Sequence, residues 1–590
     1  MNCDHHCLLR RISPRAIFCV FVCASLSSLP CWAQSASDDS GSIRGVVINS
    51  VTHEPIDRAL VFSPDNRFAT LTNSEGRFEF ASAKVDAANP DSDRPYSLTA
   101  RKPGFLNDPN QPFTNFPNYA PFDRSKDLTL TLTPEAVLAG TVTLPTSEAP
   151  DSISLELFRR QVQDGRARWV QAGASRSMSD GQFRFADLQA GSYKLLTSEL
   201  LDSDPVNNDP VALTRVDGSD GGRPLFGYPP VYYQVAADFE SATVIQLAAG
   251  QTQTVNLSLV KQAYYRVKVP VIVPGSDHPE YGLQVTVYAH DHKGPGFSLG
   301  HNPLHHAIEG MLPNGTYTVE ATVFRPNGAS MSGSQTITIK GGPIDGPTMV
   351  LAPNGLIAVN VKEEFTATGQ MPLVTFSGES HGTALKGPRL YLNVTLETAD
   401  DFGTGRNVSL RNPTGPGDES LVIEGASAGS YWVKVSSSRG YAASIRSGNL
   451  DLLHQPLVVG AGGATAAIEI TMRDDTAEIS GTIDGVASPA QGPGITGQRR
   501  VRVYCIPFGD SSGNFIEVGV QPDGSFDYPG LPPGTYRLVT SDGANIDPTQ
   551  IEYRNPEAMR AYDAKGLVVH LTSGQKERVT LPTPMTATER

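Results

Sequence analysis

Five of the twelve histidines fall close together, at His290, His292, His301, His305 and His306. In VTVYAHDH, His290 and His292 are two residues apart on a strand-like run and share one face, which lets two imidazoles reach one metal ion. The other reading is a solvated edge that happens to use histidine. His306-Ala-Ile-Glu309 has the H-x-x-E spacing of a zinc ligand pair. Glu309 corresponds to Glu424 in a later repeat, however, where Leu421 stands three residues before it, so a catalytic zinc site is not expected. Gly425-Ala-Ser427-Ala-Gly429 has the spacing of a nucleophile elbow, which needs a sharp strand-to-helix turn. Here the turn runs into Tyr431-Trp-Val-Lys-Val435, a strand pattern, and Gly530-Leu-Pro-Pro-Gly534 fills the same place without a serine. A structural turn is the expectation. No H-E-x-x-H, Walker loop or EF-hand loop occurs, and the sequence predicts neither an enzyme nor a cofactor.

Aromatic residues gather in two proline-containing stretches. One is LFGYPPVYY, with Phe226, Tyr228, Tyr232 and Tyr233; the other is QPFTNFPNYAPF, with Phe113, Phe116, Tyr119 and Phe122. Rings stiffened by proline, with polar neighbours in reach, are what a sugar-stacking platform requires. The alternative is a loop folded back on its own domain or on the next. Such loops recur late in the repeats described below, which favours packing.

The elements that position these residues follow from the whole chain. At 590 residues it is too long for one core, and about 100–150 residues per domain predicts four to six domains. Net charge is −14, with no basic run, so neither nucleic acid nor an anionic lipid surface is an expected partner. Arg10, Arg11 and Arg15 precede a short apolar run, Ala16 to Leu29, and Cys31-Trp-Ala33 before Gln34 fits a cleavage site, so residues 1–33 read as a signal peptide. The run is shorter than the ~20 residues that span a bilayer, and no later stretch is a transmembrane candidate. Cleavage removes five of the six cysteines and leaves Cys505, in VRVYCIPF, on the face of Val501 and Val503 as a core thiol. The expected location is periplasmic or extracellular.

One pattern recurs. GQFRFADLQAGSYKL from Gly181 and GSFDYPGLPPGTYRL from Gly524 show it in full; EGMLPNGTYTV from Glu309, EGASAGSYWVKV from Glu424 and GRFEFASA from Gly76 show it in part. The Gly-Ser/Thr-Tyr triplets end at Tyr193, Tyr317, Tyr431 and Tyr536, spaced 124, 114 and 105 residues apart, the size of one sandwich domain. Asp180-Gly181 and Asp523-Gly524 are hairpin-turn signals, the alternating Phe183 and Phe185 a half-buried strand, and the tyrosine a large ring buried at the start of the next. Apolar-x-Gly-x-apolar strands open units at Gly45, Gly140 and Gly481, and runs such as Leu128–Leu132, Thr254–Leu259 and Arg578–Leu581 close them. A short helical turn is expected around Pro556 to Tyr562.

GSIRGVVINSVTHEPIDRALVFSPD, the later NSEGRFEF and YSLTARKPGF together resemble a carboxypeptidase regulatory-like domain. That resemblance implies a transthyretin-like or Ig-like β-sandwich, an accessory module of exported bacterial envelope proteins, and by fold alone carbohydrate binding. Residues 34–134, 135–260 and 474–590 fit it well; 261–352 and 353–473 are more divergent. The prediction is an all-β tandem array of about five antiparallel sandwiches after a signal peptide. Its expected role is a non-catalytic binding or scaffold protein of the envelope, with polysaccharide or an envelope protein as partner. The alternative is a structural or adhesive rod made stiff and extended by very short links. An unrecognised hydrolase is a remote third.

Overall fold

In the computed structural model, described for residues 43–583 other than 64–67, 81–97, 108–126, 147–151, 202–224, 237, 276–281, 290–293, 325–329, 367–386, 401–406, 414–417, 485–500, 522 and 542–549, the chain is an all-β array. Its strands make five pairs of facing sheets, modules 1 to 5, each around its own apolar core. The expected helical turn is present, as an α-turn at Pro556–Met559 followed by a 3-10 turn at Arg560–Tyr562.

Module 5 shows the plan. Its first strand, Ala477–Ile483, lies between Ser525–Leu531, antiparallel, and the last strand, Lys576–Leu581, parallel. The facing sheet runs Ile516–Gly519, Arg502–Pro507, Gly534–Ser541, Leu567–Leu571, all antiparallel. Module 2 repeats this strand for strand, with Ala136–Thr143 between Gln182–Leu188 and Thr252–Ser258. Its facing sheet runs Arg166–Arg176, Ser154–Gln163, Gly191–Thr197, Ile245–Leu247. Modules 1, 3 and 4 keep the central first strand with an antiparallel and a parallel neighbour, and in module 3 Leu225–Tyr228 adds a second antiparallel one. The expectation of purely antiparallel sandwiches is thus corrected for one sheet of each pair. The arriving and departing strands run the same way, side by side.

The glycine of the opening strands has a clear cause. Gly45, Gly140 and Gly481 sit directly opposite Phe78, Phe183 and Phe526. A Cβ at any of them would collide with a carbonyl of the parallel last strand (Leu128, Val255 or Val579) and crowd the phenyl ring. The motif is therefore a close approach of backbone and ring to a bare Cα. Module 3 reverses the pair, placing Val267 opposite Gly310.

The hairpin reading of Asp180-Gly181 and Asp523-Gly524 also needs correction. Both glycines take positive φ, +77° and +81°, and the aspartates accept from Gln182 N at 3.0 Å and Ser525 N at 2.9 Å. The strands on either side belong to opposite sheets, so the turn is an arch across the core. A second arch returns the chain, and the repeat tyrosine ties it. Tyr193, Tyr317, Tyr431 and Tyr536 are buried. Each hydroxyl donates to the carbonyl four residues earlier: Gln189 at 2.6 Å, Pro313 at 3.1 Å, Ser427 at 3.0 Å and Pro532 at 2.7 Å. This is the logic of a tyrosine corner. Changing Tyr193 to Phe leaves the Gln189 carbonyl without its donor and should cost module 2 about 1 kcal/mol. A urea midpoint read from Trp169 checks this, and an unchanged midpoint would show the tie to be idle.

Modules 2 and 3 share more than a linker. Leu225–Tyr228, which the sequence places inside the second repeat, pairs with Gln262–Ile272, the first strand of module 3, across the expected border at 260. Beside it, Glu199 accepts from Ser298 N at 2.6 Å and Ser298 Oγ at 2.7 Å. Its other carboxylate oxygen is buried without a partner. Burial pushes this carboxyl up to about 7, against the pull of the two Ser298 hydrogen bonds.

Candidate functional site at the junction of three modules

His290 and His292 lie outside the described residues. Glu309 meets His305, at 3.2 Å from Nδ1, and Lys268, at 3.9 Å; no ion pair or hydrogen bond joins it to His306 among the described residues. Among these residues no group of three or more His, Cys, Asp or Glu side chains is placed to hold a metal. Ser427 Oγ is 3.0 Å from Tyr431 Oη in an arch that enters a strand, not a helix. Cys505 is buried in the core of module 5, and burial pushes its thiol up to about 12.

The aromatic stretch 225–233 is packed. Tyr228 belongs to the core of module 2, with Tyr233 half-buried against it. Tyr232 is buried beside Phe239 and donates to the Pro295 carbonyl of module 3 at 3.0 Å. Phe226 is half-buried, with Lys261 Nζ 5.4 Å from its ring centre. The Tyr228 and Tyr232 rings are covered by protein. Phe113, Phe116, Tyr119 and Phe122 lie outside the described residues.

The packing of 225–243 has a counterpart in module 5, and the comparison locates the site. In both modules the long connection before the second-to-last strand folds over the outer face of its own sheet. In module 2 it brings Tyr232 and Phe239 onto Phe158 and Leu196; in module 5 it brings Ile551 and Tyr553 onto Tyr504, Ile506 and Val539. The residue after the repeat tyrosine points to that face and is a buried cation held by loop carbonyls. Lys194 donates to Phe239 O at 2.7 Å and Glu240 O at 2.8 Å. Arg537 donates to Tyr562 O at 2.6 Å and Lys565 O at 3.0 Å.

In module 4 the residue at that place is Trp432, and its cover comes from another module. The long hairpin of module 2, Ser154–Gln163 and Arg166–Arg176, turns at Asp164 and Gly165, both at positive φ (+46° and +73°), the backbone of a tight two-residue turn. Its tip reaches module 4, where the Arg166 guanidinium lies 3.6 Å from the Trp432 ring centre and Asp164 pairs with Lys434 at 2.6 Å. The other side of the tip meets module 5. Arg554 donates from Nε to Asp164 O at 3.0 Å and from its backbone N to Gly165 O at 3.1 Å. Gly165 lies so close against Tyr553 that a Cβ would stand 2.6 Å from the ring. Further up the hairpin, Arg160 pairs with Glu552 at 2.5 Å. Desolvation first, and then repulsion from Arg554, brings the Arg166 guanidinium down to about 10. Modules 2, 4 and 5 are thus clamped around one hairpin tip, and that part of the array is folded back instead of strung out. Asp164-Gly165 between two long strand runs is a hairpin signal open to sequence reading; what the tip docks against is not.

No family model matches this sequence, and no curated protein matches it. Among solved structures it is similar to the Bacillus anthracis TIE protein, at 10% identity over 73% of this chain and 68% of that one, with a TM-score of 0.14. It is also similar to BcpA, the major pilin subunit of Bacillus cereus (8% identity, 77% and 100% covered, TM-score 0.14). A third is GBS52, the minor pilin of Streptococcus agalactiae (13% identity, 37% and 95% covered, TM-score 0.17). Scores this low establish no common arrangement of the modules.

Proposed function

We propose that this chain is a non-catalytic, exported scaffold of the cell envelope, structural or adhesive in role, whose modules are locked into one stiff body. The observation that carries the reading is the clamp of the module 2 hairpin tip between modules 4 and 5 through Asp164, Gly165, Arg166, Lys434 and Arg554. A chain that needs only flexible beads has no use for such a joint; one that must hold a shape does. Export rests on the leader pattern in residues 1–33. The short links, and the resemblance of three of the five units to carboxypeptidase regulatory-like modules, support an accessory part. The burial of Tyr228 and Tyr232 favours this reading over sugar stacking at that loop.

Small-angle X-ray scattering tests it on residues 34–590 against the double variant Lys434→Glu with Arg554→Glu. The wild type should give one compact, concentration-independent profile. The variant should show a larger radius of gyration and new protease-sensitive links, because both charge reversals act on the tip. Identical profiles would remove the clamp as the source of stiffness, and the scaffold reading with it.

A further inference from the structure

The clamp leaves a cleft of about 330 Å³ unfilled, at the small end of cavities that take a ligand. Its charge is lopsided for a chain of net −14: Arg166, Arg168, Lys434 and Arg554 face it against Asp164 and Glu397. Both acids are engaged by Lys434, at 2.6 Å and 3.7 Å. Arg554 donates from Nε to Asp164 O and from Nη2 to Asn514 Oδ1. Arg166 stacks on Trp432.

Arg168 stands apart. Two residues along the same strand from Arg166, it shares that residue's face. It is 8% exposed, yet among the described residues it makes no hydrogen bond, ion pair or ring contact. None of its nitrogens is among the buried polar atoms left without a partner, so the stem is covered while the guanidinium, which keeps its charge, is open to the cleft. Ser512, another residue lining the cleft, has its Oγ buried without a partner. An unpaired cation, a second cation held by stacking, and an unpaired hydroxyl thus line one small space.

We propose that this cleft binds a small oxyanion, the carboxylate or phosphate group of an envelope component, with Arg168 and Arg166 as its counter-charges and Ser512 as a donor. A planar guanidinium fork matches either group with two parallel hydrogen bonds. Occupancy neutralises the cation left over at the clamp and ties the three modules more tightly. The inference rests on the clamped junction proposed above.

The test is thermal melting and calorimetric titration of residues 34–590 with sodium glucuronate and with sodium phosphate, each against sodium chloride at equal ionic strength. At least one anion should bind saturably and raise the melting temperature; which of them does so separates an acidic-sugar source from a phosphate source. Arg168→Met should weaken that binding at least tenfold. It should leave the melting temperature of the anion-free protein nearly unchanged, because the guanidinium has no partner in the protein to lose, whereas a merely structural arginine would lower it. Ser512→Ala should weaken binding several-fold and not lower the anion-free melt, because its hydroxyl has no partner there to lose. No saturable binding of either anion, or binding unaltered by both substitutions, overturns the site. If scattering still shows the compact body, only the anion site falls; if the compact body is absent, both readings fall.

Discussion

Replacing Arg160 with methionine should lower the stability of the junction by about 3 kcal/mol, because it strands a buried carboxylate. Glu552 is 8% exposed, and Arg160 Nη1 lies 2.5 Å from its Oε1. Water reaches the arginine side of the pair, which places the expected cost at the lower end for a broken buried pair. The companion change Glu552→Leu made in the same chain should recover most of the loss, since the carboxylate that needed a partner is then absent. After removal of the leader the remaining tryptophans are Trp169 in module 2 and Trp432 in module 4, so fluorescence in urea reads the modules that meet here. A multi-module chain need not unfold in one step, and the comparison is therefore between midpoints of the same transition. Equal midpoints for wild type and Arg160→Met would mean that the pair contributes nothing.

Glu199 predicts a stability that falls as pH rises. Its carboxyl ionises near 7 in the folded chain and near 4.5 once exposed. Below 4.5 it is protonated in both states and carries no penalty. Between 4.5 and 7 the unfolded chain releases the proton first, so folding becomes progressively less favourable. Above 7 the cost is complete, about 3 kcal/mol at most. Glu199→Gln keeps an acceptor for Ser298 and removes the charge. It should therefore raise the melting temperature at pH 8 and leave it nearly unchanged at pH 4.5. A difference between variant and wild type that is constant across this range would rule out burial of the charge as its cause.

The repeat made the fold legible. Phe183 and Phe185 alternate as core residues because they lie on a sheet with one apolar face, and Gly140 marks where a ring needs a bare Cα. Alternation fails where both faces of a sheet are covered. Gly534–Ser541 reads as an almost unbroken buried run because the core lies on one side and residues 551–553 on the other. The aromatic stretch 225–233 was ambiguous for the same reason: composition states that its rings need an apolar surface, not which surface supplies it. The junction was the least legible part. Asp164, Arg166, Lys434 and Arg554 look like ordinary solvated charges in their own segments, and they acquire a role only when segments hundreds of residues apart are brought together.

The parallel pairing of the first and last strands in each module sets how a module responds to a pull on its ends. A pull on the two ends of a module draws these neighbours past each other, so their hydrogen bonds are loaded in shear, together, rather than unzipped one at a time. Module 2 sets seven residues of its last strand, Thr252–Ser258, against Val137–Thr143 in this way. Module 3 has only two short pieces, Ile344–Asp345 and Met349–Val350, in the same role. Under load the array is therefore uneven by construction, with its mechanically weakest grip at the middle module and longer ones on either side.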